Sequence, residues 1–206
     1  MTPDLNIRPF EAPPAVELDA LPEDVLAFYG RISAPEWAWM SNFEGGPVQM
    51  PDPHTGKPTT YPSKEHALMC HKTVNREDHE WIRAAKEPKD AKRRGGPRGE
   101  RGRTIELRPG WDEIKLGVMV EILRHWYAAN PDYAERLRAT GERLIVEDAP
   151  HDAIWGIRSR GGRFAGLNLL GRAHMAVRAE LQGLGNTVLG VAKLTGRSND
   201  YAMLCE

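Results

Sequence analysis

The stretch YPSKEHALMCHK, Tyr61 to Lys72, places a carboxylate and an amine seven residues apart, at Glu65 and Lys72. Seven residues are close to two helical turns, about 10.5 Å of rise at about 1.5 Å per residue, so Glu65, Leu68 and Lys72 share one helical face. Burial penalises charge, so a lysine partly buried there loses some of its preference for the ammonium form. A neutral amine of that kind can add to an aldehyde carbon and form a Schiff base, which divides one difficult step into two. Plainer duties fit the same residues: Glu65 as a partner of the helix dipole or of a nearby lysine, and Lys72 as a cation whose stem lies along an apolar face.

Metal chemistry finds no support in spacing. His66 and His71 are five residues apart, which sends them to different sides of a helix, whereas a helical ligand pair needs four. No other His, Cys or carboxylate group shows ligand spacing, so no catalytic metal and no cofactor is expected. The two cysteines, Cys70 and Cys205, form no CxxC pair, which leads to the expectation of a reducing, cytoplasmic setting. No apolar run approaches the roughly 18 residues of a membrane helix. The start, MTPDLNIRPFEAPP, lacks the basic end and apolar centre of a signal peptide, so no membrane partner is expected.

A net charge of −1 argues against a dedicated polyanion binder, since such domains carry a basic excess. The charge is unevenly spread, however. From Lys86 to Arg108 nine basic residues face four acidic ones, with glycines between them. This reads either as a solvated flexible loop or as a mobile basic flap whose Arg93, Arg94, Arg98, Arg101 and Arg103 meet phosphates.

The elements that must position these groups follow from periodicity and punctuation. Residues 1–24 hold five prolines and little periodicity and read as an irregular lead-in. Short strand-like pieces follow at Ala27–Ile32, Trp37–Met40, Val48–Met50 and Thr59–Tyr61. The period then changes to 3.6. Ser63 is the expected N-cap of a helix from Lys64 to about Val74, and EDHEWIRAAK and PKDAKRR suggest two more. In GWDEIKLGVMVEILRHWYAAN, Ile114, Val118, Ile122 and Trp126 form a core-facing stripe. NPDYAERLRATG carries Asn130 as cap, Pro131 at the first helical position and Gly141 past the end. A strand at RLIVE, a loop through DAPHDAIWGIRSRGGRFAG and a helix from about Asn168 to Leu181 complete the chain. The expected class is α+β, mainly helical with a small antiparallel sheet near the N-terminus. Residues 25–182 are expected to form one catalytic domain, and 183–206 a C-terminal extension.

FYG at Phe28–Gly30, SNF at Ser41–Phe43, YPSKEH followed by Lys72, Trp111 before a helix with Met119, TGERLIVE, DAIWG and GLNLLGRAHMAVR stand in this order. In order and approximate spacing they resemble the NADAR family, the YbiA-like N-glycosidases. The resemblance implies a YbiA-like fold and hydrolysis of an N-glycosidic bond at the anomeric carbon of a ribose. The substrate expected first is ADP-ribosylated guanine in nucleic acid, which the arginines at 93–108 and at 158, 160 and 163 favour; the alternative is an unstable early intermediate of riboflavin synthesis. The first role reverses a DNA-modifying ADP-ribosyltransferase, sometimes as its antitoxin, which would add a toxin partner. Two features depart from the family pattern: His174 stands where a leucine is usual, and the stretch after Gly156 is longer and richer in arginine.

Cleavage through an oxocarbenium-like sugar needs a carboxylate near the anomeric carbon and a proton donor near the leaving nitrogen. The resemblance gives Glu65 and Asp152 those duties and makes Lys72 the Schiff-base amine. Asp152 suits a loop cap equally well. Trp111 and Trp155 are either core rings or an aromatic wall for a flat base. Asn42, with Phe43 beside it in the SNF motif, and Asn168 are candidates to bond ribose hydroxyls or base edges, or to serve turns and caps. Gly156 closes the DAIWG motif, and Gly171 ends a GLNLLG stretch whose helix start could hold a phosphate. A catalytically silent binder of ADP-ribose is the remaining, non-enzymatic alternative.

Overall fold

The computed structural model describes residues 7, 13–29, 35–161 and 163–184. They fall into two compact units, one of Ile7 with residues 42–129, the other of residues 13–41 and 130–184 so far as described. The class is the mixed one expected, with helices dominant and small antiparallel sheets.

In the first unit, β3 (Val48–Pro51) and β4 (Pro58–Tyr61) form an antiparallel hairpin with Val48 opposite Tyr61 and Pro51 opposite Pro58. Asp52 closes the turn, its Oδ1 accepting from the N–H of His54 at 2.8 Å and of Thr55 at 2.9 Å. Four helices follow: α1 (Lys64–His71), α2 (Arg76–Arg83), α3 (Pro88–Arg94) and α4 (Trp111–Ala129). Ser63 caps α1 as its sequence suggests, with Oγ accepting from His66 N at 3.2 Å. All of α1 is buried, including its charged residues. Apart from half-buried Ile114, the stripe read in α4 is buried. Trp126 ends that stripe, and its indole N–H donates to Gly45 O at 3.0 Å. Gly45 has φ +87 and no room for a side chain, because a Cβ would lie 2.6 Å from the Trp126 ring.

The second unit contains β1 (Val16–Leu18), β2 (Leu26–Phe28), a 3₁₀ helix (Pro35–Met40), α5 (Pro131–Arg138), β5 (Ile145–Glu147), β6 (Arg158–Arg160), β7 (Arg163–Gly166) and α6 (Leu169–Leu181). A three-stranded antiparallel sheet runs β1-β7-β6, while β2 and β5 pair in parallel. Val16, Leu18, Leu144, Val146 and Ile157 form its core, with Phe164 and Met175 packed against it.

Three expectations change. The lead-in contains β1, which is stabilised by pairing with β7 far along the chain and so leaves no local signal. Trp37–Met40 is not a strand but part of the 3₁₀ helix, whose buried Ala38, Trp39 and Met40 satisfy neither a strict alternation nor a full helical turn. The stretch after Asp148, read as loop, contains the β6–β7 hairpin, whose exposed arginines hid the pattern of a strand. Asn130 precedes Pro131 at the start of α5 but makes no side-chain cap bond. Residues 30–32 of the first expected strand and residues 185–206 of the C-terminal extension lie outside the described residues. No described helix is long and apolar enough to cross a membrane.

Candidate active site

Helix α1 carries the amine and the carboxylate. Glu65 is 4 % exposed, and its backbone N–H donates to Asn42 O at 3.0 Å, so the SNF segment is fixed to the first turn of the helix. Lys72 is the C-cap of α1 and half-buried. Its Nζ donates to Gly95 O at 2.8 Å. Burial lowers the Lys72 pKa from its ordinary value, while the Glu65 carboxylate opposes the shift without cancelling it. The geometry therefore gives one amine biased toward its neutral form and electrostatically coupled to the carboxylate seven residues before it.

Asn42 and Phe43 flank the start of this helix. Asn42 is buried, and its Oδ1 has no hydrogen-bond partner among the described residues. A buried amide oxygen in that state costs about 1–3 kcal/mol unless a water or ligand hydroxyl reaches it. Phe43 is 39 % exposed, with Lys92 Nζ 5.8 Å from its ring centre, and so presents an aromatic face to solvent. Trp111, at the start of α4, is 6 % exposed. Most of its ring is packed in the core rather than offered as a wall.

The second unit holds the other expected residues. Asp152 Oδ1 accepts from the N–H groups of Ile154 and Trp155, each at 3.0 Å. This is the turn-capping arrangement weighed against a catalytic one, and it occupies one oxygen of the carboxylate. Trp155 is half-buried in that turn, and its carbonyl accepts from Leu170 N at 2.9 Å. Asn168 is fully buried with φ +52. Its Nδ2 donates to Ile145 O at 2.8 Å and its Oδ1 accepts from Glu147 N at 3.1 Å. The amide is spent on β5, so the ligand-bonding duty expected of Asn168 gives way to locking α6 against that strand. Gly171 serves the same junction, since a Cβ there would lie 2.1 Å from Ile145 O. The phosphate duty expected at Gly171 therefore also gives way to packing. Gly156 is equally confined, with a Cβ position 2.4 Å from Glu147 O.

His174, the departure in α6, has its Nε2 2.9 Å from Met40 O and packs edge-on against Phe28 at 5.9 Å. It ties the helix to the end of the 3₁₀ segment, a tether that leucine could not provide.

One lysine escaped the sequence reading. Lys64 is fully buried, its Nζ lies 4.0 Å from the Trp126 ring centre and donates to Glu44 O at 3.1 Å. Burial lowers its pKa to about 7, further than the opposing Glu44 can restore it. The side chain is enclosed by the indole and the Glu44 carbonyl, so no carbonyl substrate reaches it without rearrangement. The sequence carried no local signal of this, since Trp126, which encloses the amine, lies far along the chain.

Three of the five arginines read as a possible flap are paired with carboxylates of the fold. Arg93 bonds Asp90 at 2.9 Å and Glu100 at 2.5 Å, Arg94 bonds Glu100 at 2.8 Å, and Arg103 bonds Asp78 at 2.7 Å. The guanidinium groups of Arg103 and Arg94 also lie 4.3 and 5.3 Å from the Trp81 ring centre. An open cavity of about 310 Å³ remains among Trp81, Arg94, Glu100, Arg101 and Arg103.

The chain is similar to several known proteins. The riboflavin biosynthesis protein PYRR of Zea mays, a chloroplastic protein, is 32% identical over 192 residues, which cover 88% of this chain and 30% of that protein. The chain thus spans under a third of the maize protein's length. An N-glycosidase of Nostoc punctiforme is 33% identical over 147 residues, covering 70% of this chain and 85% of the relative. The NMR structure of the Escherichia coli protein YbiA superimposes with a TM-score of 0.62 at 29% identity, covering 82% of this chain and 92% of that one. The NADAR domain model matches residues 27–182, and the chain belongs to the NADAR family.

Proposed function

We infer that this chain is an N-glycosidase that cleaves the bond between a ribose C1 and an amine nitrogen in a small metabolite of the riboflavin-intermediate type. The observation that carries the reading is the Lys72 amine, shifted toward neutrality by burial and coupled to Glu65 on the same helix. In the ring-opened, protonated imine form of such a substrate, the Lys72 Nζ lone pair attacks C1, the Nζ–C1 bond forms and the C1=N π pair returns to the substrate nitrogen. Glu65 accepts the proton released by the attacking amine and returns it to the leaving nitrogen, whereupon the C1–N bond breaks. The substrate amine departs, and water then adds to the lysine–C1 Schiff base, releasing the sugar aldehyde and restoring the Lys72 amine. Asn42 Oδ1 supplies an acceptor for a ribose hydroxyl, and the part-exposed ring of Phe43 supplies aromatic surface beside it. The names of the maize and Nostoc relatives support this reading.

A second reading, removal of ADP-ribose from guanine in nucleic acid, draws on Arg158, Arg160 and Arg163, which are exposed on the β6–β7 hairpin. Most arginines of the 93–103 segment are already paired within the fold, which favours the small substrate. A toxin partner belongs only to the second reading.

The test is to assay a ribosylamine metabolite and an ADP-ribosylated guanine oligonucleotide side by side, with borohydride present in a parallel reaction. A sugar adduct on Lys72, absent from Lys64, is expected with the metabolite. Lys72→Ala and Glu65→Gln should each lower kcat by about 10² to 10⁴. Asp152→Asn keeps the turn-capping oxygen, so a comparable loss in that variant would give Asp152 a chemical role beyond the turn. Near wild-type kcat in Lys72→Ala would overturn the amine route.

A further inference from the structure

Five buried polar atoms without a hydrogen-bond partner gather beside the β3–β4 turn: His54 Nε2, Tyr61 Oη, His71 Nε2 and both ring nitrogens of His79. The rings touch one another, His54 on His79 at 5.0 Å, Tyr61 on His79 at 5.8 Å and Tyr61 on His71 at 5.7 Å. His79 is fully buried. An imidazole with neither nitrogen satisfied is a rare and costly arrangement unless water or an ion completes it.

A carboxylate stands at the right place to share such an ion. Asp52 uses Oδ1 for the turn, and its Oδ2 lies 3.6 Å from His79 Nδ1. That separation is too long for a hydrogen bond. It matches two donors on one tetrahedral ion, since bonds of about 2.0–2.1 Å put such donors about 3.4 Å apart. Glu80, the next residue of α2, offers a third donor, and ligand atoms of Asp52, His79 and Glu80 all lie within 4.8 Å of one another. The Glu80 carboxylate is 44% exposed and holds Arg83 through Oε2 at 2.7 Å. Its exposure opens one side of the group to solvent, where water can supply a fourth ligand.

We propose that Asp52, His79 and Glu80 form a binding site for one divalent ion of the zinc class, pinning the β3–β4 turn to α2. Imidazole with two carboxylates suits a borderline transition ion better than calcium or magnesium, which favour oxygen donors throughout. The site lies apart from the Lys72–Glu65 pair in its chemistry and acts on the stability of the first unit, whose α2 packs on α1. Sequence spacing could not reveal it, because Asp52 and His79 are brought together only by the fold.

The test uses the full chain stripped with a chelator and titrated with Zn²⁺ alone by calorimetry, with melting followed in parallel. One ion per chain and a higher melting temperature are expected. Asp52→Asn, which keeps the turn acceptor, and Glu80→Gln, at a half-exposed position, should each weaken binding by about tenfold or more. His79→Gln should abolish it, and the other two variants keep the test decisive if that one does not fold. Co²⁺ in place of Zn²⁺ should give the absorption of a low-coordinate nitrogen–oxygen site in the wild type only. Absence of stoichiometric binding would mean that ordered water satisfies the imidazoles, and unchanged affinity in both carboxylate variants would place the ion elsewhere. Either result overturns the proposal.

Discussion

The burial of Lys64 has a consequence for stability that can be measured. Lys64 titrates near 7 when folded, against 10.5 for an ordinary lysine. Between those values the unfolded chain binds a proton that the folded chain does not, so stability rises with pH across that window, by at most about 1.4 kcal/mol per pH unit. Lys64→Met should flatten this limb and stabilise the protein most at and below pH 7, as urea unfolding across a pH series would show. The acid limb should persist in that variant. Burial holds His71 down at about 4 rather than 6.5, so stability contributed by its neutral form is lost as pH falls from about 6.5 to 4. Glu65 and Lys72 were legible from spacing alone. The seclusion of Lys64 was not, because the indole that encloses it comes from Trp126, far along the chain.

At the scale of elements, caps and helical periodicity placed α1 to α6 closely, since those signals are local. Strands β1, β6 and β7 escaped because each is made by a partner, Val16 opposite Gly166 and Arg160 opposite Arg163, and not by its own pattern. The junction of α6 with β5 separates packing from ligand binding. A methyl group at Gly171 would collide with Ile145 O and with the Asn168 amide 2.6 Å away. Gly171→Ala should therefore cost about 1–3 kcal/mol of stability, read as a lower melting temperature, while KM per folded molecule stays unchanged. A raised KM with an unchanged melting temperature would return Gly171 to ligand binding.

For the molecule as a whole, the salt dependence of binding separates the two proposed substrates. Arg93, Arg94 and Arg103 already pair with Asp90, Glu100 and Asp78, so these three are partly neutralised before any phosphate arrives, in a chain of net charge −1. The slope of log K against log salt for a modified single strand should then be small, below about two phosphate contacts at about 0.7 each. A steep slope between about 50 and 200 mM salt, flattened by Arg158→Ala with Arg160→Ala, would instead favour the nucleic-acid substrate. The sequence by itself determined the family, the mixed class and the approximate helix positions, because motif order, caps and the 3.6 period are properties of neighbouring residues. Only the tertiary structure decided that Arg93, Arg94 and Arg103 find acidic partners, that Asn168 and Gly171 pack against β5, and that Asp52, His79 and Glu80 converge. Each of those depends on burial and on partners from distant segments, which set the cost of a charge or an unpaired polar atom and leave no local trace in the chain.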